Sequence, residues 1–430
     1  MTTEAASASS VAAANPPVRR LADWPAAGLR DLAAEHGTPL YVVDLDRVRE
    51  NADRLRRAFP DAEIGYAVKA NAIESVLETI ADTGLGAECA AAGEVVRALD
   101  AGFDRVRYTA VNPPARDLDR VVDLAADREI AITVGAEDTL DRLAERGWTG
   151  ELFVRVNPGV GAGHHAKVRT GTDPKFGVPG ERAAAVVSEA ANRGFDVRGL
   201  HAHAGSGILD ADDLDAHRAL VARMGELTGE VVDRGIDLDT VIVGGGFGVP
   251  YRETESPLDL DSLAAATREA LGSAEGRGVS GVTLGIEPGR YLVADAGVLV
   301  TRVNTVKPTP ETTVAGVDCG MTDLLRPALY DAHHAIRSLA PDAAERETVS
   351  ATVAGPVCES ADALARDREL PAPARGDLLA VGNTGAYGYE MANTYNSRPR
   401  PAVVALDDGE SRVCVRRETI DDLTRLEAER

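Results

Sequence analysis

Lysine is almost missing from this chain: of 46 basic residues only four are lysines and 42 are arginines. A guanidinium stays protonated at any ordinary pH, whereas an amine can lose its proton and attack a carbonyl. The few lysine positions therefore say where amine chemistry can occur. Cysteine is equally sparse. Cys89, Cys319, Cys358 and Cys414 are too few for a disulfide framework in a chain of 430, and no CxxC pair marks a zinc site. Long apolar runs are absent as well. No stretch approaches the ~20 residues of a membrane-spanning helix. Positive charge is in deficit, with Asp+Glu 69 against Lys+Arg 46 and a formal net charge of −23. That field repels nucleic acid and anionic membranes, so neither is an expected partner. Acid excess, scarce lysine and abundant alanine read as a halophilic composition, suited to a salt-rich cytoplasm where screening removes most self-repulsion. Residues 1–18 are rich in Ala, Ser, Thr and Pro and lack the basic and apolar regions of a signal peptide. They are expected to be a disordered leader on a soluble, cytoplasmic protein.

What is present suits an α/β protein with a large core: 44% hydrophobic residues and 42 glycines. From residue 40 to 290 two patterns alternate. Short apolar runs fall at 63–70, 86–90, 106–110, 130–134, 151–157, 197–204, 240–244 and 283–287. Between them lie stretches with helical spacing, among them 74–81, 93–101, 115–126 and 214–233, and Glu137-Asp138-Thr139 opens another with acids at the positive end of its dipole. Eight strand–helix repeats read as a (β/α)8 TIM-type barrel, and the same alternation also suits an open doubly wound sheet. After about residue 295, Val- and Thr-rich alternation at 298–306, 313–317, 348–354, 378–381, 402–406 and 412–416 reads as a C-terminal β-domain. The expected division is a barrel over 44–295 and a β-domain over 296–430. The segment 19–43 joins the latter through the strand-like Thr38-Pro39-Leu40-Tyr41-Val42-Val43. The long Gly-rich connection 159–177 is of the kind that covers an active site.

In a barrel, function gathers at the carboxyl ends of strands. Lys69 closes the first apolar run, where a chance lysine would merely extend its head into water. His201-Ala202-His203-Ala204-Gly205-Ser206 follows the sixth, Gly244-Gly245-Gly246 the seventh and Glu287-Pro288-Gly289-Arg290 the eighth. Three successive glycines let backbone N–H groups approach an anion, and the mouth after the last two strands is the usual phosphate site of this fold. Ser206 and Arg290 add a hydroxyl and a cation. Glu287 makes sense beside a phosphate only if it serves another cation, such as a protonated pyridine nitrogen. Lysine, phosphate cradle, carboxylate and a stacking imidazole, His203, together describe a pocket for pyridoxal 5′-phosphate.

At these residues the chain resembles the fold-type III, alanine-racemase-like decarboxylases. The resemblance rests on Tyr66-Ala67-Val68-Lys69-Ala70-Asn71, His203-Ala204-Gly205-Ser206, the glycine triplet and Glu287-Pro288-Gly289-Arg290. It continues through Gly355-Pro356-Val357-Cys358-Glu359-Ser360-Ala361-Asp362 and Gly385-Ala386-Tyr387. The segment Asp318-Cys319-Gly320-Met321-Thr322-Asp323-Leu324-Leu325-Arg326-Pro327-Ala328-Leu329-Tyr330 looks like the signature of the diaminopimelate decarboxylases, which implies meso-2,6-diaminopimelate as substrate and L-lysine as product. A second substrate carboxylate calls for forked donors, here Arg290 and Arg326. The resemblance implies that Lys69 holds the cofactor covalently and that Gly289 and Tyr387 belong to its site. It gives Glu359 the distal ammonium, with Tyr330 and Tyr387 completing the clamp. It further implies that Cys358 returns a proton after CO2 leaves, and that Cys358 and Glu359 reach in from the partner subunit of a homodimer. Cys89, Cys319 and Cys414 are expected to be buried, inert thiols. Ala361, where the family usually has glycine, and the altered His-rich segment 159–167 depart from the pattern without removing a charged ligand.

Three other readings compete. His201-x-His203 puts two imidazoles on one strand face, as in metal-dependent barrel hydrolases, but His217, His333 and His334 supply no third ligand at a strand end. A catalytically dead binding protein would not need Lys69, Glu287 and Cys358 together. A decarboxylase for ornithine, arginine or carboxynorspermidine has no use for Arg326.

Overall fold

Eight of the apolar runs form a closed cylinder in the computed structural model, which describes residues 17–160, 171–272 and 281–428. The chain first lays down β1 (Leu40–Asp44), which belongs to the other sheet, and then the barrel strands β2 (Glu63–Ala67), β3 (Gly86–Cys89), β4 (Val106–Tyr108), β5 (Ile130–Val134) and β6 (Glu151–Asn157). A two-residue strand β7 (Val178–Pro179) pairs on β6, and β8 (Asp196–His201), β9 (Thr240–Ile242) and β10 (Thr283–Ile286) complete the ring. All neighbours are parallel; β10 pairs β2 and β5 pairs β6, so the sheet closes on itself and the open doubly wound alternative is excluded. These strands are short and buried on both faces, which is why they read as continuous apolar runs and not as alternation.

The helices Glu74–Ala81, Ala92–Asp100, Ala115–Ala125, Asp138–Ala144 and Ala211–Val232 wrap the outside, within a residue or three of the expected spans. The cylinder interior is not uniformly apolar. Ala131, Phe153 and Ile242 form a small cluster of their own. The Arg107 guanidinium stacks on the Phe153 ring at 4.5 Å and reaches Glu63 at 3.4 Å on one side and Glu287 at 3.1 Å on the other. A charged thread thus runs up the barrel axis to the carboxyl end of the eighth strand.

The second sheet is built from β1, β11 (Gly297–Pro308), β12 (Thr313–Val317), β13 (Ile336–Ser338), β14 (Thr348–Ala354), β15 (Ala363–Pro371), β16 (Leu378–Val381), β17 (Ala402–Asp407) and β18 (Glu410–Val415). The twelve-residue β11 serves two sets of neighbours. Its first half pairs β1 and β16, and its second half pairs β12 after a bulge at Val303/Thr305. β1 lies between β11, antiparallel, and β17, parallel, at the centre of this sheet. The N-terminal strand therefore anchors one domain and leads straight into the first helix of the other, Leu45–Ala58.

The junction carries a buried ion pair. Arg47 donates to Asp295 through Nε at 3.2 Å and Nη2 at 2.7 Å, while Asn51 Nδ2 reaches the other carboxylate oxygen at 2.9 Å. Residues 1–16 of the expected leader and most of the His-rich segment, 161–170, lie outside the described residues. Among the described residues no helix is long and apolar enough to cross a membrane.

Candidate active site

Each strand end delivers its side chain to the same mouth. Lys69 sits in the single 3-10 turn Val68–Ala70 that follows β2. That turn is held by Tyr66 Oη donating to Asn71 O at 2.8 Å, and is stapled to the β-domain by Tyr387 N–H on Ala70 O at 2.8 Å and Asn71 Nδ2 on Gly385 O at 2.9 Å. Lys69 Nζ lies 2.5 Å from Glu88 Oε2 at the end of β3. Burial disfavours the ammonium, but the Glu88 carboxylate and further negative groups outweigh it and raise the lysine pKa above its usual value.

Lys69 borders two adjoining chambers. The inner one is lined by Ala67, Lys69, Glu88, Arg155, His201, His203, Ser206, Gly246, Glu287, Gly289, Arg290 and Tyr387. The outer one, about 400 Å³, shares seven of these and adds Ala90, Thr109, Val111, Phe176, Arg326, Tyr330 and Met391. Phe176 belongs to the connection after β6, so that segment does border the site. A volume of this order suits a small-molecule ligand.

At one end of the inner chamber Glu287 is buried, with Oε2 2.8 Å from His201 Nε2 and Oε1 3.1 Å from Arg107. Burial alone would raise its pKa, yet His201, Arg107 and Lys69 hold it well below the usual carboxylate range. Burial lowers the His201 pKa against the pull of Glu287; its Nε2–H donates to Glu287, and its buried Nδ1 has no partner among the described residues. His203 accepts from Gly245 N–H through Nδ1 at 3.3 Å, and burial together with Lys69 and Arg155 lowers its pKa to about 3. His203 is therefore neutral at any physiological pH. A carboxylate has about four acceptor directions, and Glu287 uses two, so it keeps capacity for a cationic partner.

At the other end the glycine triplet makes close backbone approach possible. A Cβ on Gly245 would sit 2.0 Å from Glu287 O, and one on Gly246 2.3 Å from Gly205 O. Gly244 packs as tightly, a Cβ there meeting His203 Nδ1 at 2.6 Å. Arg290 opens the short helix Arg290–Val293 with Gly289 before it, and reaches Ser206 Oγ at 3.0 Å and Tyr251 Oη at 2.7 Å. Its Nε is buried without a partner among the described residues. Among the described residues neither Arg290 nor Arg326 is paired with a carboxylate. Lys69, Arg155, Arg290 and Arg326 make this a positive basin in an acidic protein.

An amine, an anion-seeking end and an ionised carboxylate on the opposite end fit a phosphorylated pyridine aldehyde. Lys69 would hold its carbonyl carbon, Glu287 its ring nitrogen and Ser206, Gly246, Gly289 and Arg290 its phosphate.

Cys358 and Glu359 are not brought to these chambers by their own chain. Both are exposed; Cys358 Sγ accepts from Asn396 Nδ2 at 3.3 Å and Glu359 accepts from Tyr395 Oη at 2.7 Å. The loop that carries them is nonetheless tied to the Arg326 segment, because buried Asp362 accepts from Met321 N–H at 2.5 Å and from Val357 N–H at 2.6 Å. Cys89 and Cys319 are buried, with burial raising both thiol pKa values, as expected of inert thiols. Cys414 corrects the expectation: it is only half-buried, on β18, where it donates towards Val403 O at 3.4 Å. His201 and His203 belong to no cluster able to hold a metal among the described residues.

Sequence reasoning missed Glu88, Arg107, Arg155, Tyr251 and His334. Glu88 and Arg155 carried a usable signal, since each is a charged residue inside an apolar strand run. Tyr251 and His334 carried none, because Tyr251 acts through Arg290, 39 residues on, and His334 bridges nearby Arg326 to the distant Gly382.

Comparison with known proteins agrees with this geometry. Residues 45–294 match the family described as "Pyridoxal-dependent decarboxylase, pyridoxal binding domain". The chain is 42% identical to the diaminopimelate decarboxylase of Methanothermobacter thermautotrophicus over 92% of both chains, and 35% identical to that of Escherichia coli K12 over 94% of this chain and 97% of the relative. Among solved structures, a diaminopimelate decarboxylase from Helicobacter pylori complexed with L-lysine superposes with a TM-score of 0.84 at 34% identity, covering 93% of this chain and 99% of that one. An arginine decarboxylase of Paramecium bursaria Chlorella virus, 20% identical with a TM-score of 0.78, shares the fold. The chain belongs to the diaminopimelate decarboxylase family of pyridoxal-dependent decarboxylases.

Proposed function

We propose that this protein decarboxylates meso-2,6-diaminopimelate to L-lysine and CO2, the last step of lysine biosynthesis by the diaminopimelate route, using pyridoxal 5′-phosphate. One observation carries the substrate choice. Two buried arginines without carboxylate partners among the described residues, Arg290 and Arg326, line the same pocket as a lysine amine. Such a pair needs an anion, and a substrate that lacks a second carboxylate leaves it unpaired. A site built this way rejects the poorer substrate by a factor on the order of 10⁴.

The cofactor, when bound, supplies an electron sink for the pair left behind as the carboxylate departs. Lys69 would anchor it, Glu287 would keep its ring nitrogen protonated, and neutral His203 would lie against the ring. Ser206, Gly244, Gly245, Gly246, Gly289, Arg290 and Tyr387 would hold its phosphate and edge. Arg326, Tyr330 and Tyr387 hold the distal amino-acid end with Arg290. One C–C bond breaks, and the carbon that loses CO2 takes up a proton. Cys358 of the partner subunit delivers that proton, and Glu359 of the partner subunit takes the distal ammonium.

The reading therefore includes a cytoplasmic homodimer with composite sites. Its support is the exposure of Cys358 and Glu359 away from their own chain's pocket, as suits residues lent to a neighbour. The test is CO2 release from meso-diaminopimelate, ornithine, arginine and carboxynorspermidine. Diaminopimelate is expected to be turned over at least ~10³ times more efficiently than the others; comparable rates with ornithine would refute the assignment.

A further inference from the structure

Arg326 is held from behind by a histidine. His334, fully buried, lies with Nε2 2.7 Å from Arg326 Nη1 and Nδ1 2.7 Å from Gly382 O. Arginine can only donate and a carbonyl can only accept, so these two bonds fix the tautomer: Nδ1–H donates to Gly382 O, and the Nε2 lone pair accepts from Arg326. Burial and the adjacent arginine charge keep this imidazole neutral.

Tyr251 does the equivalent between the two arginines. Its hydroxyl accepts from Arg290 at 2.7 Å and is also bonded by Arg326, whose guanidinium lies 4.7 Å from the ring centroid, and the ring meets His334 edge-on at 5.1 Å. Asn383 Nδ2 on Pro250 O, 2.8 Å, ties the turn after Gly382 to the residue before Tyr251. The supports are thus rigid and linked to each other.

Their chemistry matters as much as their position. A carboxylate behind Arg326 would orient it equally well, but would neutralise it and compete with an incoming anion. An imidazole and a phenol fix the fork and leave the charge uncompensated. We propose that His334 and Tyr251 are specificity-determining positioning residues, which aim Arg326 and Arg290 as a preformed, unneutralised pair at the substrate's second carboxylate. This rests on the substrate reading given above.

L-Lysine keeps the distal carboxylate and 1,5-diaminopentane is the same chain without it, so their binding to the cofactor-loaded enzyme isolates the effect. Calorimetric titration of wild type should show clear preference for L-lysine. His334→Leu, which removes the acceptor, is expected to weaken L-lysine about tenfold or more while changing the diamine by less than about twofold. His334→Gln, whose amide oxygen can accept from Arg326, is expected to recover most of the loss. Tyr251→Phe keeps the ring and should weaken L-lysine about fivefold, again sparing the diamine. Parallel losses for both ligands, unchanged L-lysine affinity in His334→Leu, or no recovery in His334→Gln would overturn the proposal. Equal binding of the two ligands by wild type would instead overturn the substrate reading, and the proposal with it.

Discussion

At the scale of single residues, the account turns on which charges are compensated. Lys69 is matched by Glu88, and Glu287 by Arg107, whereas among the described residues Arg290 and Arg326 face the pocket with neutral partners only. Arg326→Ala is therefore expected to raise KM for diaminopimelate on the order of a hundredfold while leaving cofactor affinity within about threefold. Steady-state kinetics beside a cofactor titration checks this, and equal losses in both would contradict it. Cys358→Ala should keep full cofactor binding and lower kcat by about 10²-fold, as befits loss of a proton donor; unchanged kcat would remove that role. Much of this site was legible from the chain alone. Lys69 and Glu287 are conspicuous as charged residues closing apolar runs, and the glycine triplet and Arg290 follow strands whose ends must share one mouth. Glu88 was legible in principle. His334 was not, because its meaning comes from Arg326 and Gly382, which no local pattern links to it.

At the scale of elements, the barrel strands were readable because burial on both faces leaves no polar alternation to confuse them. β15 was not. It presents Arg366-Asp367-Arg368-Glu369 at a sheet edge, carries a left-handed Asp367 at φ 52°, and shifts register twice against β14. β13 spans only three half-buried residues, too few to show a period. The helix Leu45–Ala58 is fastened to the domain junction by the Arg47–Asp295 pair, both residues almost wholly buried. Asp295→Ala would strand that guanidinium and is expected to cost about 3–5 kcal/mol of stability, measured by denaturant unfolding. A loss below about 1 kcal/mol would contradict it.

His217, in the helix Ala211–Val232, is buried against Thr267 Oγ1 at 2.9 Å and has its pKa lowered to about 4. A histidine with a depressed folded-state pKa binds fewer protons folded than unfolded between about 4 and 6.5. Its contribution is therefore complete above about pH 6.5 and lost as pH falls towards 4, on the order of 3 kcal/mol in all. His217→Gln, which keeps a partner for Thr267 but cannot titrate there, should flatten the stability–pH slope in that window relative to wild type. An unchanged slope would refute the assignment.

At the scale of the whole molecule, two features join sequence to assembly. The net charge of −23 predicts self-repulsion, so the melting temperature should rise as KCl is raised from about 0.1 M to 2 M. The proposed homodimer with composite sites predicts that mixing inactive Lys69→Ala with the slowed Cys358→Ala restores activity. Random exchange makes half the dimers mixed, each with one intact site of two, so recovery should approach about a quarter of wild type. That segment 19–43 adds a strand to the C-terminal sheet is legible in its strand-like Thr38–Val43; the position of β1 between β11 and β17 is not, since both partners lie more than 250 residues away in the chain.

The central claim is that Lys69 and its cofactor remove CO2 from diaminopimelate. Its most direct test adds pyridoxal 5′-phosphate stepwise to cofactor-free protein while CO2 and L-lysine are measured. Wild type should gain activity up to one cofactor per chain and form the two products in equal amounts, and Lys69→Ala should form neither. CO2 release without cofactor, or undiminished release by Lys69→Ala, would contradict the account.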